Sequence, residues 1–209
     1  MPERPYVKTL NPYSRMALAV RGWGLEVVLA LGIFVLWHIG AALDGPGAGI
    51  LFLGIVSGAV AGSGSSNPWF ASLAKPAAMP PDWAFPVAWT LLYIVIGLAL
   101  ALVVGARGAG GRGIGIGLFV VQFALNLAWS PVFFAGHAIG AALAIILLMI
   151  VTTVATILAF ARIRPRAAAL MLPYLAWICF AAWLNHSIET LNPNAGTLAP
   201  ASSSAQVQL

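Results

Sequence analysis

From Leu25 to Thr190 the chain is a succession of apolar runs, and the runs have the length of a bilayer rather than of a soluble core. They cover residues 25–43, 48–62, 83–104, 114–134, 138–161 and 167–190. A run of about 19 residues reaches roughly 30 Å as a helix, the thickness of the hydrocarbon layer. Only 7% of the residues are charged, where a soluble domain carries about 25%. In lipid every backbone N–H and C=O must find a partner within the protein, which leaves helices or closed barrels. The runs are continuous and lack the period-two alternation of a barrel strand. The sequence therefore predicts an all-α, polytopic transmembrane bundle.

The breaks are short. "DGPG" at 44–47 stops the first run, "SGSSN" at 63–67 ends the second, and "AGHA" at 135–138 separates the fourth from the fifth. "GARGAGGRG" at 105–113 and "RIRPR" at 162–166 are basic turns. Residues 1–24 form a basic tail with Arg4, Lys8, Arg15 and Arg21, and residues 193–209 read as a polar, flexible tail. Six spans place the basic N-terminal tail on the face opposite the arginine turns, whereas five would place all of them on one side. The length of 25–43, with Glu26 as its lone charge, favours a spanning segment. Its length also exceeds a signal-peptide core, and no convincing cleavage site follows it, so it is expected to stay in the mature chain. The net charge of +5 suits anionic headgroups rather than nucleic acid, and a helical bundle suits a bacterial inner membrane.

The stretch "NPWFASLAKPAAMPPDWAFPVAWTLLY" at 67–93 sets a stiff aromatic loop against a membrane segment. Pro76, Pro80, Pro81 and Pro86 restrict the backbone, and a pre-ordered loop loses less entropy on closing over a ligand. Trp69, Phe70 and Trp83 supply flat apolar area. They read either as a cover over a ring system or as an interfacial aromatic belt. Asn126 and Trp129 share a helix face, as do Trp177, Ala181 and Asn185. A lone amide in hydrocarbon is costly, so Asn126 and Asn185 are expected to face protein or a cavity; interhelical hydrogen bonding serves equally well.

No catalytic residues are expected. Asp82 and Glu189 sit at segment ends, Ser130 has neither His nor acid at useful spacing, and the glycines of 108–117 read as a turn and close packing. No metal ligands are expected either: His38, His137 and His186 each lack a second ligand at i+3 or i+4. Cys179, the single cysteine, reads as an inert packing residue. Gly54, Gly58 and Gly62 form a stripe suited to helix packing or dimerisation.

The loop at 67–93, together with "QFALNLAWSPVFF" at 122–134 and "PYLAWICFAAWLN" at 173–185, resembles the TspO/MBR family, the tryptophan-rich sensory proteins related to the mitochondrial translocator protein. The resemblance covers roughly residues 48–192. It implies a five-helix TspO-like core, commonly dimeric, with a pocket open toward the loop after its first helix. Residues 25–43 would then be an extra N-terminal transmembrane helix. The resemblance further implies a hydrophobic small-molecule ligand, a porphyrin or other tetrapyrrole, with no cofactor required. Trp129, Trp177, Ala181 and Asn185 match pocket-lining positions, Trp89 and Tyr93 would form a third wall, and Lys75 is a candidate partner for a propionate or a residue that snorkels to the interface.

Two departures bear on function. Ala77 and Ala78 stand where relatives often carry loop tryptophans, which weighs against a light-driven porphyrin breakdown. His186 stands where the family's sterol-recognition pattern has Tyr, with no basic residue after it. The resulting expectation is a sensor or carrier, linked to pigment synthesis or oxidative stress, that is not an enzyme and contacts membrane lipid. It would be a homodimer or part of a larger complex. The alternatives are an accessory subunit docked through its N-terminal helix onto a pigment–protein assembly, and a porphyrin-degrading enzyme.

Overall fold

The computed structural model describes residues 46–195. The expected basic tail at 1–24, the helix at 25–43 and His38 lie outside the described residues, as does the chain after residue 195.

All regular structure among the described residues is helical: α1 (Pro46–Val60), a short α2 (Pro68–Ser72), α3 (Ala84–Val104), α4 (Arg112–Ser130), α5 (Ile139–Ile163) and α6 (Pro165–Leu191), with a π-helical turn at Pro131–Ala135 joining α4 to α5. α3, α4 with its π turn, α5 and α6 are each long and apolar enough to cross a membrane. α1 is apolar but has 15 residues, about 22 Å of helix. Among the described residues the ends of the expected apolar runs agree with the helices to within about two residues. The exception is α2, a short helix inside the stretch expected as loop; Pro86, grouped with the loop prolines, lies in the first turn of α3. A proline is tolerated there because that N–H has no intrahelical acceptor.

The five long elements close into a ring. α1 packs on α3, α3 on α6, α6 on α5, α5 on α4, and α4 returns to α1. Glycine makes the α1–α3 approach possible. A Cβ on Gly54 would overlap the Tyr93 ring, and one on Gly97 would stand 3.0 Å from the Gly47 Cα. Gly54 thus serves packing within the chain, and Gly62, at φ +62°, ends α1 rather than continuing a stripe.

Arginine and proline fix the ends. Arg112 reaches back across the turn, its Nη2 and Nε donating to Val104 O at 2.8 and 3.1 Å, and so satisfies a carbonyl that the helix end leaves open. Pro131 has no N–H to offer Leu127 O, and Ser57 Oγ donates to that carbonyl at 2.8 Å, tying α1 to the end of α4. π turns of this kind gather at functional sites.

Deeper in the bundle, Tyr93 Oη donates to Asn126 Oδ1 at 2.9 Å and Asn126 Nδ2 donates to Tyr174 Oη at 3.1 Å. The Tyr174 hydroxyl in turn donates to Met149 Sδ at 3.2 Å. This chain of bonds joins α3, α4, α6 and α5. The outward faces carry Phe52, Val60, Ile114, Val120, Val151 and Leu158, all exposed, as lipid contact requires. Cys179 also faces outward and is not the packing residue expected, because the inward face of its turn is taken by Ile178 and Ala182.

Candidate functional site

A cavity of about 520 Å³ opens at the end of the bundle opposite the arginine turns. Its walls come from six places in the chain. α1 gives Gly54, Ile55, Gly58 and Ala59, and the turn after it gives Ser63 to Ser66. α3 gives Phe85, Pro86, Trp89, Thr90 and Tyr93. The end of α4 and the π turn give Trp129, Ser130, Phe133 and Phe134. α6 gives Trp177, Phe180, Ala181, Leu184, Asn185 and Ile188, and the long loop gives Phe70, Met79 and Asp82.

Helical spacing explains the aromatic walls. Trp89 and Tyr93, four apart, stack with centroids 5.4 Å apart. Trp89 meets Trp177 nearly edge to face at 6.4 Å, and Phe85 meets the same Trp177 at 6.1 Å. On the other side Trp129 stacks on Phe133 at 5.1 Å. Its Nε1 donates to Asn185 Oδ1 at 3.3 Å, while Asn185 Nδ2 donates to Ile139 O at 2.9 Å. The amide therefore locks the indole orientation and joins α4, α5 and α6, so it glues helices and faces the cavity at once. Beneath the main chamber a void of about 20 Å³ lies among Trp89, Tyr93, Asn126, Trp129, Ser130 and Ala181.

The structure thus brings Phe70, Trp89, Tyr93, Trp129, Trp177, Ala181 and Asn185 to one chamber and places three of the expected residues elsewhere. Trp69 is buried behind the wall, stacked on His137 at 4.3 Å, with Nε1 donating to Ala195 O at 3.0 Å; the beginning of the C-terminal tail accordingly packs against the loop. Trp83 is 68% exposed at the cap of α3 and does not cover the chamber. Asn126 lines the small void and not the main one, its amide engaged by the two tyrosines. Lys75 is not in the wall either. Its Nζ donates to Phe70 O at 2.9 Å and sits over the Phe70 ring at 4.8 Å, closing the end of α2.

The loop is held from two directions. Asn67 caps α2, its Oδ1 accepting from Phe70 N at 3.1 Å. Asn192 at the end of α6 clasps Ala74, accepting from its N and donating to its O, both at 2.9 Å. The sequence reading missed Phe85, Phe133, Phe134, Leu184 and Ile188. Extending the periodicity of 177, 181 and 185 would have found Leu184 and Ile188. Phe133 and Phe134 depend on the π turn, which no spacing rule anticipates. Among the described residues no group of three His, Cys, Asp or Glu gathers to hold a metal.

A ring of apolar helices around an aromatic chamber near one membrane face defines a multi-pass α-helical membrane protein with an internal pocket. The chain belongs to the TspO/MBR family, whose model matches residues 47–191. It is 44% identical over 127 residues to "Tryptophan-rich protein TspO" of Chlorobaculum tepidum, covering 60% of this chain and 80% of the relative. It is 33% identical over 138 residues to "Protein CrtK" of Rhodobacter capsulatus, covering 66% and 86%. To the human "Translocator protein" it is 38% identical over 122 residues, covering 57% and 72%.

Proposed function

We propose that this chain binds a flat, largely apolar molecule of the tetrapyrrole class in the chamber, and acts as a membrane sensor or carrier linked to pigment synthesis or oxidative stress rather than as an enzyme. The observation that carries the reading is the chamber itself. Its volume of about 520 Å³ falls within the roughly 300–1,000 Å³ of small-molecule sites. Trp89, Trp129 and Trp177 offer planar faces around it, and Ala181 leaves space between them. The pinned loop supports the same reading, since a pre-formed wall loses little entropy when a ligand arrives. The printed name of the human relative, "Translocator protein", agrees with binding rather than turnover.

The test is a titration of the purified protein in lipid nanodiscs with protoporphyrin IX, followed by tryptophan quenching. Saturable quenching is expected, and Ala181→Phe is expected to weaken it at least about ten-fold, the loss that about 1.4 kcal/mol of steric exclusion produces. Unaltered affinity in a folded Ala181→Phe protein would overturn the reading.

A further inference from the structure

The void of about 20 Å³ beneath the chamber shares Trp89, Tyr93, Trp129, Ser130 and Ala181 with the chamber wall, and Asn126 helps to complete it on the deeper side. A single water takes about 10–15 Å³ of cavity and about two to four polar partners. The volume therefore suits one water and is too small for two.

The polar partners are at hand. An amide oxygen accepts two hydrogen bonds and an amide nitrogen donates two. Asn126, buried in the bundle, uses one of each: it accepts from Tyr93 Oη at 2.9 Å and donates to Tyr174 Oη at 3.1 Å. One acceptor position and one donor hydrogen are left over among the described residues. Ser130 stands just before the π turn, and its side chain caps no backbone group. Its hydroxyl has no other hydrogen bond among the described residues. Asn126 and Ser130 are four apart on α4, so they share a helix face, and both line the void. The other polar groups nearby are engaged: the Trp129 indole N–H goes to Asn185 Oδ1 and the Tyr174 proton to Met149 Sδ.

We propose that this void is a binding site for one ordered water, held between the Asn126 amide and the Ser130 hydroxyl. Voids that stay dry are lined by apolar groups alone, whereas an amide and a hydroxyl left without partners in the interior are costly. The water joins the chamber floor, through Ser130, to the hydrogen-bonded chain that links α3, α4, α6 and α5. Because void and chamber share walls, the chamber is its route of exchange. The site does not depend on what the chamber holds.

The experiment is an experimental structure of the full chain in lipid, at a resolution that shows ordered water, for the wild type and for Ser130→Ala. In the wild type one water peak is expected in the void, at about 2.7–3.2 Å from both an Asn126 amide atom and Ser130 Oγ. In Ser130→Ala the peak is expected to disappear while the Tyr93–Asn126–Tyr174 bonds stay in place. A wild-type void without the peak overturns the proposal, as does a Ser130 hydroxyl turned onto a carbonyl of its own helix. A peak that persists unchanged in Ser130→Ala overturns it too. Should Ser130→Ala fail to fold, the wild-type map alone decides between the two outcomes.

Discussion

Replacing Asn126 with alanine separates two roles that an intramembrane amide can have. The side chain receives the Tyr93 hydroxyl at 2.9 Å and donates to the Tyr174 hydroxyl at 3.1 Å. Truncation leaves the Tyr93 proton without an acceptor and removes a donor to Tyr174, which keeps Met149 Sδ at 3.2 Å. An unsatisfied buried group costs about 1–3 kcal/mol, while single interhelical bonds within membranes average about 0.6 kcal/mol. The sum for Asn126→Ala is about 2 kcal/mol, with Tyr93→Phe alone near 1 kcal/mol. The assay is reversible unfolding in mixed micelles with increasing SDS, followed by tryptophan fluorescence. If the bridge is the source of the cost, Asn126→Ala in a Tyr93→Phe, Tyr174→Phe background loses less than half as much, as coupled neighbours do. An equal cost with and without the two hydroxyls would refute the reasoning.

Three further outcomes follow from the same geometry. Arg112→Gln forfeits the bonds to Val103 O and Val104 O and should lower stability by about 1–2 kcal/mol, measured by the same unfolding assay. Gln122 is fully buried with neither amide atom partnered among the described residues, so Gln122→Met should raise the thermal midpoint; a fall would contradict that expectation. Basic turns favour the cytoplasmic face and the chamber opens at the other end. A membrane-impermeant maleimide should therefore label Ser66→Cys, in a Cys179→Ala background, from outside intact cells, and labelling only after lysis would reverse that orientation.

Much of the helical core was legible because each run is both long and apolar, and its ends are marked by Pro, Gly or Arg. A spacing of four put Trp89 with Tyr93, and Trp177 with Ala181 and Asn185, each on one helix face, while the expectation that those faces line a chamber came from the resemblance to the TspO/MBR family. What escaped is what local spacing cannot encode. Trp69 turns inward because Asn67 and Pro68 start a short helix and because its indole finds Ala195 O, 126 residues away in sequence. Trp83 turns outward at the cap of α3, where it has no core to enter. Lys75 looked free in sequence, yet the end of α2 supplies it with carbonyl oxygens that no one-dimensional pattern reveals.

The central claim is that the chamber among Trp89, Trp129 and Trp177 holds a flat ligand. An experimental structure determined with protoporphyrin IX dimethyl ester tests it most directly. Planar density is expected inside the chamber, with the ring edge near Ala181. An empty chamber with the porphyrin lying against the outward faces, beside Trp83 or Trp183, would contradict it.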